Sequence, residues 1–369
     1  MERLNLNNRF ACLIRLFSLT CITCAAVSCS SDADGELDAQ PERIAIHLSA
    51  NIAKDNLSRS YWTEDQVASC NASLLFHWED EATGQMKAVV TGNGVIKPFE
   101  GGKFYSDIDV MSTSDRLLAN LKMKNTLMPD ATCEAGDSIY IFSPIHGQGS
   151  KVSYQGADRV EYSFSIPDTL IQSVPNSATH LSPYIYMAGK SALKMEAGAM
   201  STQISANVLP VAVRFNLVNA EQYALEVNDV GISGRLANSG SLTITPEGHK
   251  LIYLEEDNNY AGVRSDMKID KEHTVNLYAM LLPTRFEEGE QVMFNLKGKY
   301  SNGWTAIFEN IAIDCKSFCN NVLEPNSCYY VTLEVAHDYL YVVINGVVVK
   351  AFQCGNSGGD IELNPESSI

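Results

Sequence analysis

The sequence predicts an all-β protein made of two tandem β-sandwich domains of about seven strands each, with a C-terminal β-hairpin extension. Three observations carry this prediction. Apolar and polar residues alternate along many short segments, which is the period of a half-buried strand. Clusters of Gly, Pro, Asn and Asp separate these segments, as turns do. Near the C-terminus, Asn345-Gly346 joins two β-branched runs and indicates a hairpin.

Length and charge narrow the classes of function. The chain has 369 residues and a formal net charge of −17, with 27 Lys and Arg against 44 Asp and Glu. This length suits about two domains. An acidic chain without a basic run lacks the positive surface that binds phosphate backbones, so no nucleic-acid partner is predicted. After the N-terminal region, no apolar run reaches the roughly 18 residues of a membrane-spanning helix.

The first segment, residues 1–28, is predicted to be a secretory signal, because three arginines precede an apolar stretch over residues 16–27. The following Ala26-Val27-Ser28-Cys29 is similar to the lipobox of bacterial lipoproteins, in which the cysteine is acylated and becomes the new N-terminus. The alternative is a soluble secreted protein in which Cys29 is incidental. Residues 29–42 are acidic and polar and are predicted to be a linker.

The N-terminal domain is predicted to span residues 43–190 and to begin with the clearest strand of this half. Its apolar residues alternate with polar ones: Ile44, Ile46, Leu48, Ala50 and Ile52. Arg59 follows in a predicted loop. Further strands are predicted at residues 73–78, 87–95, 137–142, 161–166 and 184–188.

The C-terminal domain is predicted to span residues 191–335, after a boundary near 189–203 where Gly189 and Gly198 interrupt the pattern. Its predicted strands are residues 211–217, 224–232, 241–245, 274–282, 291–300, 304–313 and 329–335. Residues 336–369 then form the hairpin and a polar tail. The hairpin strands are apolar on both faces, so they require cover from this chain or from another subunit. The alternative is that the hairpin completes the sheet of its own domain.

Six cysteines follow Cys29, and an even number in an exported chain predicts disulfides without fixing the pairing. They are Cys70, Cys133, Cys315, Cys319, Cys328 and Cys354. The three-residue gap between Cys315 and Cys319, and the absence of a histidine near these two and Cys328, do not favour zinc.

The seven histidines are scattered, and no catalytic or phosphate-binding motif is present. No catalytic, cofactor or metal site is therefore predicted, and the chain is not predicted to be an enzyme. A glycosidase would need two facing carboxylates, which a sequence cannot reveal.

Short motifs in a fixed order along the chain carry a resemblance to a known family. They occur at residues 135–142 (AGDSIYIF), 184–188 (YIYMA), 280–283 (MLLP) and 329–333 (YYVTL), after the lipobox, the acidic linker and the alternating first strand. With this layout the chain resembles the fimbrillin-type pilins of Bacteroidia, the subunits of type V pili. The resemblance implies two transthyretin-like β-sandwiches and a structural or adhesive role in fimbriae.

The resemblance also implies a route of assembly. Precursors of this family reach the outer membrane as surface-exposed lipoproteins, and an arginine-specific protease cuts after the first strand. The matching position here is Arg59. A C-terminal strand of another pilin subunit then fills the groove, and the matching donor residues are Tyr341, Val343, Val347 and Val349.

Other interpretations stay open on the sequence alone. The alternative for Arg59 is an ordinary solvated loop arginine. Within the family, the chain would be a stalk, tip or anchor subunit. Outside it, the runner-up is a surface lipoprotein that binds a host or other glycan through exposed aromatic side chains, with Trp62, Trp78 and Trp304 and 16 tyrosines available.

Overall fold

A computed structural model describes residues 46–52, 58–59, 62–64, 74–77, 86–112, 118–143, 149–196, 198–271, 273–344 and 347–353. The prediction of an all-β protein is confirmed for this part of the chain, whose regular structure is almost entirely strand. The two short helices are a 3-10 helix (Thr179–Tyr184) and α1 (Cys315–Cys319). Neither has the length and apolarity that crossing a membrane requires.

The strands of the first half, in chain order, are β1 (Ile46–Ile52), β2 (Ser58–Arg59), β3 (Trp62–Glu64), β4 (Leu74–His77), β5 (Met86–Gly92), β6 (Val95–Ile96), β7 (Ser106–Ser112), β8 (Leu118–Met123), β9 (Ser138–Ser143), β10 (Ser150–Gln155), β11 (Arg159–Ser165), β12 (Thr169–Ile171), β13 (Met187–Ala192), β14 (Lys194–Glu196) and β15 (Ala199–Val208). Those of the second half are β16 (Val211–Asn219), β17 (Leu225–Thr245), β18 (Gly248–Ile269), β19 (Thr274–Leu281), β20 (Thr284–Arg285), β21 (Gln291–Tyr300), β22 (Thr305–Asp314), β23 (Val322–Leu323), β24 (Cys328–Val335), β25 (Tyr339–Ile344) and β26 (Val347–Gln353).

Seven strands of the first half close into a barrel. Their order around the ring is β1-β8-β7-β5-β9-β13-β15, and β1 closes the ring by pairing with β15. That pairing is parallel, with Ile46 beside Met200 and Ile52 beside Ala206, whereas the other pairs around the ring are antiparallel. Closure removes the free edges of a sheet. The prediction of two tandem sandwiches is therefore not confirmed, because the first half contains a barrel.

A long two-stranded ribbon, β17 with β18, runs through the second sheet. Strand β11 pairs with the end of β17, and β10 lies beyond β11. Strand β21 pairs with the beginning of β17, and β22 lies beyond β21. Strand β12 pairs with β18. The sequence predicted two separate strands where β17 is continuous, and it predicted none for β18. Both predictions were wrong, because register shifts near residues 228, 235 and 238 interrupt the alternation, and β18 is largely polar and exposed.

The third sheet has the order β19-β16-β24-β25-β26, and small sheets β2-β4-β3 and β20-β23 complete the fold. Two hydrophobic cores are formed, and the sheets between them contribute to both. In β19, Tyr278 and Met280 belong to the first core, whereas Leu277 and Ala279 belong to the second. The predicted boundary near residue 190 falls inside β13, a strand of the barrel.

Candidate functional site

The first strand of the described chain, β1, is held on both sides. It pairs with β15 along its whole length and with β8 from Leu48 to Asn51. Leu48 is only 5% exposed and lies in the first core, and Ile46 packs against that core. The predicted strand is thus present, and Ile44 lies outside the described residues, as do the side chains of Ala50 and Ile52.

A cavity of about 870 Å³ lies beside β1. Its lining includes Ile46 and Leu48 of β1 together with Leu121 and Met123 of β8 and the nearby Leu127. Most of the lining is polar or charged and includes Lys194 and Glu196 of β14 and Ser201, Thr202 and Gln203 of β15. The cavity therefore has a mixed lining, with strand backbone at its sides.

Arg59 lies in β2, where its backbone pairs in parallel with β4, beside His77. The sequence placed Arg59 in a loop, and this detail was wrong, because residues 58 and 59 form a short strand pairing. Cleavage at Arg59 stays a prediction. The candidate lipidation residue Cys29, the signal segment and the acidic linker lie outside the described residues.

The C-terminal hairpin docks on its own sheet. Strand β25 pairs with β24, and its residues Leu340, Val342 and Ile344 are no more than 4% exposed in the second core. The opposite face of β25 carries half-buried candidate donor residues, Tyr341 and Val343. This arrangement is the one in which the hairpin completes the sheet of its own domain.

Strand β26 forms the edge of that sheet. It pairs with β25 from Gln353 beside Tyr339 to Val347 beside Ile344, and no further pairing of β26 occurs among the described strands. An edge strand presents a row of backbone groups that another strand can join. The candidate donor residues Val347 and Val349 belong to β26, and their side chains lie outside the described part.

The turn that leads into β25 is fastened to another loop, which the sequence did not predict. His337 Nδ1 is 2.7 Å from Glu221 Oε1, and this contact lowers the pKa of Glu221. With Asp338, these residues form a group whose ligand atoms lie within 4.8 Å of one another. An ionised carboxylate only accepts, so Nδ1 donates its hydrogen to Glu221 Oε1 in this contact. The hydrogen bond joins the connection between β16 and β17 to the turn before β25.

Three of the cysteines predicted to form disulfides are free thiols: Cys133, Cys315 and Cys319. All three are buried, and burial raises the pKa of Cys133 to about 11 and that of Cys315 and Cys319 to about 12. The prediction of disulfides was therefore wrong for these residues, which act as small apolar groups. Cys328 is half-buried at the start of β24, and Cys70 and Cys354 lie outside the described residues.

Comparison with solved structures finds cell-adhesion and fimbrial proteins. A candidate cell adhesion protein from Bacteroides uniformis aligns with a TM-score of 0.46 and 10% identity, covering 82% of this chain and 95% of that one. A candidate cell adhesion protein from Bacteroides fragilis aligns with a TM-score of 0.43 and 12% identity, covering 86% of this chain and 99% of that one. The fimbrial anchor protein Mfa2 from Porphyromonas gingivalis gives 0.38 and 11%, covering 83% and 99%.

These neighbours are described as cell-adhesion and fimbrial proteins, and all three TM-scores lie below 0.5. No protein-family model matches the chain, and no curated protein sequence does. Similarity at this level does not define the function of the chain, which we infer from its own residues.

Proposed function

We propose that this chain is a subunit of cell-surface pili, exported as an outer-membrane lipoprotein acylated at Cys29 and assembled by strand exchange. The observation that carries the proposal is the position of β1, the first described strand, which closes the barrel between β8 and β15. Arg59 follows β1 in the chain. A cut at Arg59 by an arginine-specific protease would disconnect β1 and allow it to be replaced.

The energetics favour replacement over an open barrel. Loss of β1 would expose Leu48, whose full burial is worth about 1.5–3 kcal/mol, and the half-buried Ile46, which contributes less. It would also leave backbone groups of β8 and β15 without partners along both sides of the gap. A strand from another subunit would restore both contributions by β-augmentation.

The donor in this proposal is the C-terminal hairpin, with Tyr341, Val343, Val347 and Val349 on its two strands. Strand β26 has the accessible edge that a donor or acceptor strand needs. Donation of β25 as well would withdraw Leu340, Val342 and Ile344 from the second core. We therefore expect β26 to be donated more readily than β25.

A second candidate is a tip or anchor subunit of the same kind of pilus. The observation that favours it is that β1 is docked in the barrel and that the C-terminal hairpin is docked in its own sheet through β25. A tip subunit has no need to give a strand away, and an anchor keeps its lipid and its first strand. In either position the chain would sit at the cell surface with other pilin subunits as partners.

The central test is the Arg59→Ala variant, expressed in the native host beside Arg43→Ala as the matched control. Cleavage at Arg43 would free no strand, because Arg43 precedes β1. We expect ladders of polymer that resist mild denaturant in the wild type and in Arg43→Ala, and their loss in Arg59→Ala. N-terminal sequencing of the surface protein should begin at Ser60. Ladders that persist in Arg59→Ala would remove this arginine from the mechanism.

A truncation separates the stalk from the tip or anchor. Deletion of residues 347–369 removes β26 and the tail that follows. For a stalk subunit we expect polymer growth to stop at the truncated subunit. For a tip or anchor subunit we expect fibres of unchanged length, and an acylated Cys29 on the recovered protein would then identify the anchor.

A further inference from the structure

Three loops, one of them the turn that precedes β25, meet in one place. They bring together five side chains, which we call the loop-end cluster: Glu221, Tyr223, Trp304, His337 and Asp338. Glu221 and Tyr223 lie between β16 and β17, Trp304 between β21 and β22, and His337 and Asp338 between β24 and β25. Neither strand exchange nor the barrel uses any of these residues. The loop-end cluster is therefore a separate feature that requires its own explanation.

Trp304 is the exposed ring of the loop-end cluster. It is 44% exposed, although an indole is a large apolar group. Its ring lies 4.2 Å from that of His337, tilted by 32°, and 5.5 Å from that of Tyr223, nearly perpendicular at 79°. Both of these neighbours are half-buried, so they support an indole that remains open to solvent.

Hydrogen bonds fix the backbone conformation beside Trp304 and Tyr223. Trp304 closes a tight turn, with its N–H donating to Asn302 Oδ1 at 3.0 Å and its carbonyl accepting from Tyr300 N at 2.8 Å. On the other loop, Asn219 is only 2% exposed and donates from Nδ2 to the carbonyls of Tyr223 and Ile269, both at 2.8 Å. A preformed site loses little conformational freedom when a ligand binds.

The polar part of the loop-end cluster consists mainly of acceptors. Glu221 Oε1 accepts from His337 Nδ1 at 2.7 Å, which places this carboxylate beside the aromatic rings. Asp338 Oδ1 lies 3.8 Å from the same Nδ1 and brings a second carboxylate to the edge of the aromatic surface. Acceptors at the rim of an apolar ring match a ligand that has one apolar face and several hydroxyl donors.

We infer that the loop-end cluster is a binding site for a neutral sugar in its pyranose form. The C–H face of a pyranose would lie on the exposed indole of Trp304, and its hydroxyls would donate to the carboxylates of Glu221 and Asp338. The two carboxylates would repel acidic sugars, so the ligand class excludes uronic and sialic acids. Affinity for a single sugar on so open a surface is expected near about 1 mM.

The test is an NMR titration of the full mature protein with three neutral pyranosides: methyl α-mannoside, methyl β-galactoside and N-acetylglucosamine. The indole N–H signal of Trp304 is assigned by its loss in Trp304→Phe. We expect at least one of the three sugars to shift this signal, and glucuronic acid to leave it unchanged at the same concentration.

Variants then place the binding. Trp304→Ala is expected to weaken the sugar by about tenfold or more, as loss of a central aromatic anchor does. Tyr154→Ala is the matched control, since Tyr154 is also 44% exposed and also lies in an aromatic group, with Phe104 and Tyr105. We expect it to leave affinity unchanged. Trp304→Phe keeps a ring in place and reports on the site if Trp304→Ala does not fold.

Two results would overturn the inference: no shift of the Trp304 signal with any of the three neutral sugars, or equal losses in Trp304→Ala and Tyr154→Ala. The inference does not rest on strand exchange. Polymer ladders are expected to be normal in Trp304→Ala, so a failure of this site and a failure of pilus assembly would be told apart.

Discussion

Strands β1 and β26 occupy opposite situations in one molecule. β1 is bonded on both sides and closes a barrel, whereas β26 pairs with β25 alone and ends an open sheet. Removing β1 therefore breaks two rows of backbone hydrogen bonds and uncovers Leu48, whereas removing β26 breaks one row, that to β25. Under the proposed strand exchange, we expect replacement of β1 to require a cut in the chain, and addition of a strand beside β26 to require none.

We expect the greatest loss in free energy of unfolding from breaking a buried ion pair in the first half of the chain. Lys97 Nζ is 2.8 Å from Asp137 Oδ2, and the two side chains are 4% and 5% exposed. Lys97→Met would leave the carboxylate buried without its counter-charge, which should lower the free energy of unfolding by about 3–5 kcal/mol. Urea denaturation measures this loss.

The control for that prediction is Lys124→Met. Lys124 lies 3.0 Å from Asp109 in the same barrel, but these side chains are 38% and 35% exposed. Water screens such a pair, so we expect a change of about 0–1 kcal/mol. Equal losses in the two variants would mean that burial does not control the stability of the barrel.

A second prediction compares equal deletions in the two regions. Leu48→Ala in β1 and Leu340→Ala in β25 each remove a buried leucine, and each should cost about 2–5 kcal/mol. The routes of opening should differ. Hydrogen exchange should accelerate in all barrel strands for Leu48→Ala, because a closed ring opens as a unit, and first in β25 and β26 for Leu340→Ala.

Faster exchange confined to β1 would contradict this prediction. If Leu48→Ala accelerates exchange in β1 alone, then β1 detaches without opening the barrel, and cleavage at Arg59 would not be needed for exchange. Exchange mass spectrometry of peptides from β1, β8, β15 and β26 is sufficient to decide.

We expect the smallest change in stability from the hydrogen bond at the turn that precedes β25. The hydrogen bond from His337 lowers the pKa of Glu221 in the folded protein. Its stabilisation is therefore present above the unfolded pKa of about 4.3 and is lost as pH falls through the lower folded value. Because these side chains are partly exposed, we expect at most about 1 kcal/mol.

Hydrogen exchange in β25 at pH 3 and pH 6, corrected for the intrinsic rate, measures this contribution. The wild type should show weaker protection at the lower pH. In Glu221→Gln the difference should shrink, since the amide does not titrate. An unchanged pH dependence in Glu221→Gln would assign the effect to another group.

Local patterns in the sequence predicted strands β1, β25 and β26. The alternation of Ile46 and Leu48 with polar residues indicated β1, because one face of β1 is buried. The β-branched runs around Asn345-Gly346 indicated β25 and β26 for the same kind of local reason.

Features that depend on distant pairing could not be predicted. The barrel closes through Ile46 beside Met200, a parallel contact that leaves no trace in either segment alone. The loop-end cluster likewise unites residues from three distant connections, Glu221, Trp304 and His337. The one local sign of it is a tryptophan beside a turn, at Asn302-Gly303-Trp304.

The sharing of strands between the two cores has a consequence for the order in which the protein is made. All seven strands of the barrel have been synthesised by Val208, yet the first core also contains Tyr278, Met280 and Leu282. A chain emerges from its N-terminus onward, so these three residues arrive long after the barrel strands. A nascent chain that ends at residue 208 would contain all seven strands of the barrel. It would still lack these three residues of the first core.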